Sequence, residues 1–221
     1  MFTTPAIRAV LGAALIATAA AAHAQPSGVK ISEWMYNGDE FVEFTNFGPS
    51  PVDFTGWSYD DDSRLPFTFS LSAFGVVAPG ESVILAERSA ADFSAEWGLG
   101  AGVKVIGNLN VNLGRADEIN LFDASGALVD RLTYGDNTVG GPRTLNVSGI
   151  PGSAAVIGAN QVTGWVLSAL GDGQGSYASA SGFLGSPGFS PYAAPIPEPA
   201  SIALMLAGLG AVGAAARRRR V

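Results

Sequence analysis

The stretch that decides the fold is ISEWMYNGDEFVEFTNFGPSPVDFTGWSYDDDS, residues 31–63. Val42 and Phe44 alternate in it with Phe41, Glu43 and Thr45, a period of two that a pleated strand turns into two faces. One face reads as apolar and the other as largely solvated, the pattern of a strand half-buried in an antiparallel sheet. Gly48, Pro49 and Pro51, then Gly56, break the run at intervals too short for helices and suited to turns.

The same grammar continues on both sides. GVKIS, EFVEFTNF, PVDFTGWSY, PFTFSL, ESVILAE, VKVIGN, DEINLFDA and ALVDRLTY are short runs rich in Val, Ile, Phe, Tyr and Thr, separated by Gly, Pro, Asn and Asp. Ile119 and Leu121 alternate with Glu118 and Asn120 in the way that Val42 and Phe44 do with their neighbours. The fold predicted is all-β, a sandwich of two sheets. A single helical turn stands out, SAADFSAEWGL at 89–99, with Ser89 placed to cap it and Phe93 and Trp97 four residues apart on one side. The Gly-rich run TVGGPRTLNVSGIPGSAAVIGANQ at 138–161 yields no assignable strands.

Composition excludes several chemistries. The chain has no cysteine and one histidine, His23, so Cys/His metal sites, cysteine nucleophiles and Ser-His-Asp triads have no residues to draw on once the N-terminus is removed. That removal is predicted because residues 1–24 have the parts of a secretory signal peptide. Arg8 supplies the positive start, residues 9–22 the apolar stretch, and Ala22 and Ala24 frame a small-x-small cut before Gln25, the work of a signal peptidase. With Arg8 and the four terminal arginines set aside, seven basic residues remain against nineteen acidic ones, a net charge of −12. Such a surface repels phosphate backbones, so nucleic acid is not an expected partner.

With these residues in view, the body resembles the lamin-tail domain. The family pattern of I-x-E, E-F-V-E-L-x-N, a G-W turn and P-G-E before a valine-rich strand falls on Ile31, Glu33, Glu40, Phe41, Val42, Glu43, Asn46, Gly56, Trp57, Pro79, Gly80 and Glu81. Phe44 stands where leucine is usual. The segment GWVLSALGDGQGSYASASGFLGSPGFSPY, 164–192, resembles the family's closing W followed by G-S/T-P-G. The resemblance implies an immunoglobulin-like sandwich over 25–192, specifying a scaffold and no particular activity. Trp57 then reads as a core aromatic, and Glu43 and Asn46 as residues that bridge loops.

The C-terminus, PIPEPASIALMLAGLGAVGAAARRRRV, resembles the PEP-CTERM sorting signal. A Pro-rich linker at 193–199 ends in Pro197, Glu198 and Pro199; an apolar helix follows at 200–216; Arg217, Arg218, Arg219 and Arg220 begin a basic cytoplasmic stop at 217–221. Seventeen apolar residues at ~1.5 Å each span about 25 Å, short of a ~30 Å hydrocarbon core, so the helix is a marginal span pinned at one end by arginine. Transient membrane insertion is expected, then processing by an exosortase-type enzyme. The resemblance implies a Gram-negative bacterium, with the chain passing through the inner membrane to the cell surface or extracellular matrix.

The chemistry candidates are few. Asp60, Asp61 and Asp62 place three carboxylates in a row after the Gly-Trp turn and offer hard oxygen ligands to Ca²⁺, although their spacing is not that of an EF-hand; a solvated acidic turn is the alternative. No other cofactor and no catalytic residue is expected. The reading is an exported binding or structural module acting in adhesion, exopolysaccharide or biofilm, with exopolysaccharide or surface proteins as partners. The alternative is a carboxylate-dependent hydrolase of extracellular polysaccharide.

Overall fold

The computed structural model describes residues 28–193. Its strands follow in chain order as β1 (Val29–Met35), β2 (Phe41–Asn46), β3 (Val52–Asp53), β4 (Ser58–Asp60), β5 (Phe69–Ser70), β6 (Val76–Val77) and β7 (Ser82–Ala86). After helix α1 (Ala90–Trp97) come β8 (Lys104–Ile106), β9 (Ala116–Phe122), β10 (Leu128–Gly135), β11 (Gly149–Pro151), β12 (Trp165–Leu167), β13 (Tyr177–Ala178) and β14 (Leu184–Gly185). The signal peptide expected at 1–24, the PEP tripeptide, the apolar helix expected at 200–216 and the basic stop at 217–221 lie outside the described residues. Among those described, no helix is long and apolar enough to cross a membrane.

Two sheets carry the fold. The larger has the order β12-β11-β1-β2-β7-β8 and the smaller β10-β9-β4-β5. All pairings in them are antiparallel except β7 with β8 at the edge of the larger sheet. Val29, Ile31, Trp34, Val42, Phe44, Val83 and Leu85 from the larger sheet share one buried cluster with Tyr59, Ile119, Leu121, Leu132 and Tyr134 from the smaller. The sheets therefore face each other across a single apolar core, the all-β sandwich that the period of two predicts.

Trp34 sits at the centre of that core. Its ring lies 5.2 Å from Tyr134 and 4.9 Å from Trp165, the latter edge-on. β11 crosses directly over it, and a Cβ at Gly149 would come within 2.7 Å of the indole. A glycine is thus what lets the otherwise unpromising Gly149–Pro151 segment pair with β1 at Trp34. Inside the run that carried no sequence assignment, packing against Trp34 supplies a strand that local propensity does not.

The solvated face expected on β2 is not solvated. Phe41, Glu43 and Thr45 are all 0% exposed, because α1 and the chain after β12 cover that side of the larger sheet. Met35, Phe41, Ile84 and Ala86 pack there against Phe93 and Trp97 of α1, the two residues expected on one side of that helix. Ser89 caps the helix by accepting the Asp92 N–H at 3.2 Å, and Gly98 closes it in the left-handed region at φ 62°. The larger sheet is a middle layer, and the loop after β4 runs over the outer face of the smaller sheet, leaving Glu118 and Asn120 buried.

Candidate functional site

After β4 the chain makes a tight turn whose geometry is set by Asp60. That side chain is fully buried; its Oδ2 accepts the Ser63 hydroxyl at 2.6 Å and the Leu65 N–H at 2.5 Å. Asp61 turns back on its own loop, accepting the Ser63 N–H at 3.0 Å. Arg64 at φ 58° and Phe67 at φ 70° both occupy the left-handed region, which bulky L-residues rarely adopt. Arg64 is held there by a two-pronged contact with Glu118, 2.7 Å to Oε2 and 2.6 Å to Oε1. Phe67 is held by its N–H donating to the Ser58 hydroxyl at 2.8 Å. The outcome is a fixed apolar tip, with Leu65 and Phe67 each 60% exposed.

Asp60, Asp61 and Asp62 do not gather around a common point. The first points inward, the second caps its turn, and the third lines a depression of about 320 Å³ together with Arg64, Glu118, Thr133 and Thr138. Among the described residues no three acidic side chains are grouped so that they could hold a metal ion. Asp172, between β12 and β13, likewise serves its own loop, accepting the Gln174 N–H at 2.7 Å and the Ser176 hydroxyl at 2.6 Å.

The outer face of the smaller sheet continues from this tip. Glu118 accepts from Thr133 Oγ1 at 2.9 Å and Asn120 Nδ2 at 3.3 Å in addition to Arg64, and Arg131 Nε lies 3.5 Å from Oε2. The Arg64 hydrogen bonds foremost, then Thr133, Asn120 and the Arg131 charge, outweigh desolvation and hold the Glu118 carboxyl down to about 2. Arg131 in turn donates to Asn120 Oδ1, and Asn120 Nδ2 donates to the Asp61 carbonyl at 2.6 Å. The face is a preorganised lattice of guanidinium, amide, hydroxyl and carboxylate groups, while the exposed Phe67 ring rests against Gly126 in the turn between β9 and β10.

Two carboxylates are paired elsewhere. Glu33 on β1 and Glu43 on β2 are register partners on the covered face of the larger sheet, 1% and 0% exposed. The chain after β14 closes over them. Ser186 donates its N–H at 2.7 Å and its hydroxyl at 2.9 Å to Glu33, and Gly188 donates its N–H to Glu43 at 2.6 Å. Ser148 also donates to Glu33, and Ser32 to Glu43 at 2.6 Å. Burial raises the pKa of both carboxyls, and the Glu33 charge raises that of Glu43 further.

Other residues singled out in the sequence have structural roles. Trp57 is half-buried and stacks on Phe54 at 4.6 Å. Asn46 bridges loops, donating to the carbonyls of Ser50 at 2.9 Å and Val77 at 3.1 Å. Sequence reading missed the roles of Arg64, Phe67 and Glu118. The one signal available was an apolar Leu-Pro-Phe triplet between an acidic run and a strand.

A sandwich of two such sheets is the architecture of a known class of domain. The Lamin Tail Domain family matches residues 22–136, and the chain belongs to that family, whose fold is immunoglobulin-like. The PEP-CTERM protein-sorting motif matches residues 195–220. That motif marks proteins exported and sorted to the surface of Gram-negative bacteria, and it implies processing by an exosortase. No curated protein matches the chain. The family match ends at residue 136, whereas β11 and β12 extend the larger sheet beyond it and the 185–188 turn caps the Glu33–Glu43 pair.

Proposed function

We propose that the exported domain is a binding module without catalytic activity, displayed at the surface or in the matrix, whose partner is extracellular polysaccharide. The observation that carries this reading is the fixed tip: Leu65 and Phe67, each 60% exposed, project from the loop whose Arg64 lines a polar depression with Asp62, Glu118 and Thr133. A sugar ring offers hydroxyls to such polar groups and a C–H face to an aromatic ring. A tip already ordered before contact loses little entropy on binding. The domain as the unit of display, 25–192, follows from the same reading.

The hydrolase alternative needs two acids facing one substrate. Glu33 and Glu43 are adjacent but sealed under the closing chain. Asp117 and Glu118 line one depression with Asp62, but Asp117 is taken up by the N–H groups of Gly114 and Glu118, and Glu118 by Arg64, Thr133 and Asn120. Neither pair supports that alternative.

The test uses the protein recovered from its host's surface. It is incubated with the host's own exopolysaccharide and assayed separately for binding and for release of reducing ends. Binding without turnover, weakened about tenfold or more by Phe67→Ser, is the expected result. Turnover abolished by changing one Asp or Glu to its amide would sink the reading.

A further inference from the structure

The Glu33–Glu43 pair has no part in the proposed binding face, and its surroundings pose a charge problem. The two carboxyls sit opposite each other on adjacent antiparallel strands, where Cβ atoms lie ~4.5–5.5 Å apart. Two bare carboxylates that close, both out of water, are not tenable without a cation or a proton.

No cation faces them among the described residues. From the covering chain come Ser186 and Gly188, from the strands Ser32, Thr45 and Ser82, and from the residue before β11 Ser148. The charged groups nearby are spoken for or of the wrong sign. Asp172 adds negative charge toward Glu33, and the Tyr177 phenol donates to the Trp97 carbonyl at 3.0 Å. Glu96 on α1 is engaged by Ser179, Ser181 and Arg88, and Arg88 itself pairs with Asp39 at 2.7 Å. Lys104 on β8 is paired with Glu81 at 2.9 Å.

The hydrogen bonds around Glu43 show how a proton is accommodated. Ser32 donates to Glu43, Thr45 donates to Ser32 at 2.7 Å, and Thr45 and Ser82 lie 2.6 Å apart with either able to donate. A run of hydroxyls can reverse direction by rotating its protons, so Ser32 becomes the acceptor of a Glu43 O–H with no heavy atom moved. Meanwhile Glu43 Oε2 still accepts the Gly188 N–H.

We infer that Glu33 and Glu43 hold one proton between them, carried on Glu43, and that this proton keeps the 184–190 segment closed on the larger sheet as a pH-dependent latch. The closed state binds a proton that the open, hydrated state gives up. Raising the pH therefore shifts the population toward the open state. The segment that opens is the one leading toward the sorting motif at 195–220, so the latch sets how much loose chain separates the sandwich from its processing site. This goes beyond the binding role and stands whether or not polysaccharide is the partner.

The test is hydrogen exchange on the full chain in neutral detergent, reading the Ser186 and Gly188 amides against those of Ile119 and Leu121 in β9. After correction for intrinsic exchange rates, protection at Ser186 and Gly188 should fall between about pH 6 and about pH 9 by about tenfold or more beyond the fall at Ile119 and Leu121, which follows global stability. In Glu43→Gln the extra fall should vanish, since the amide donates to Ser32 and accepts from Gly188 at every pH. Carbon-13 titration of the glutamate carboxyls in the unaltered chain gives a second readout that does not depend on how the variant folds. One carboxyl of the pair should titrate well above the ordinary range. Protection at Ser186 and Gly188 that falls no further than that at Ile119 and Leu121, a Glu43→Gln chain that keeps the extra fall, or both carboxyls titrating as ordinary glutamates would each overturn the latch.

Discussion

Trp97 donates its indole N–H to Asp39 at 2.7 Å, joining helix α1 to the loop between β1 and β2 across 58 residues of sequence. Arg88 Nε stands 2.7 Å from the other Asp39 oxygen as an ion pair, without the alignment of a hydrogen bond. Asp39 is wholly buried, so this carboxylate is where the helix is fastened to the sheet it covers. Asp39→Ala leaves the indole N–H and the guanidinium without their partner and should lower stability by about 2 kcal/mol. Asp39→Asn, which keeps an acceptor for Trp97, should cost less. Chemical denaturation of the two variants checks the order.

Stability should pass through a maximum in mildly acidic solution. Burial raises the Glu40 pKa to about 7, outweighing the hydrogen bond that the carboxyl accepts from the Leu113 N–H. Its folded value is above its unfolded one, so its contribution is complete below the ordinary glutamate range and is lost as the pH rises through about 7. The buried Glu33–Glu43 pair acts with the same sign. Glu118, held at about 2 chiefly by Arg64, acts oppositely: its contribution is present above the ordinary range and lost as the pH falls toward 2. Melting curves taken from acid to alkaline pH should show both limbs. Glu40→Gln should shrink the alkaline limb to the share of the Glu33–Glu43 pair and leave the acidic one.

Calcium should leave the melting curve where it is. Asp60, Asp61 and Asp62 point to three different tasks, and no three acids are grouped for a metal among the described residues. Curves with millimolar calcium and with chelator are expected to coincide. A rise of several degrees with calcium would show that the turn rearranges to bind it.

The core should tolerate the residue usual in the family at Phe44. This side chain is 0% exposed within the cluster shared by both sheets. Phe44→Leu trims the ring but leaves a branched apolar group, so a loss of about 1 kcal/mol is expected, against about 3–5 kcal/mol for Phe44→Ala. Denaturant midpoints of the two variants measure the difference.

The elements that could be read from the sequence are those whose signal is local. The alternation in 41–46 and 117–122 gives β2 and β9, and Ser89 with Phe93 and Trp97 gives α1. What could not be read depends on partners far along the chain. Glu43 looks solvated by its alternation, yet it is buried because Gly188, 145 residues later, delivers an N–H to it. Gly149–Pro151 looks like loop until Trp34 is known to lie beneath it. The candidate binding tip depends on left-handed backbone at Arg64 and Phe67, which neither residue type announces; Glu118, 54 residues on, fixes the first of them.

The most direct test of a displayed, processed module is the intact mass of the protein collected from the surface and culture medium of a host with its own exosortase. The account predicts a chain beginning at Gln25 and ending near Pro199, with any attached group adding a defined mass to that end. Replacing Arg217, Arg218, Arg219 and Arg220 with serine should reduce the yield of this species, because a short apolar segment without its basic stop is poorly held across the membrane. A membrane-bound species that keeps residues 200–221 in such a host would contradict the account and make the tail a permanent anchor.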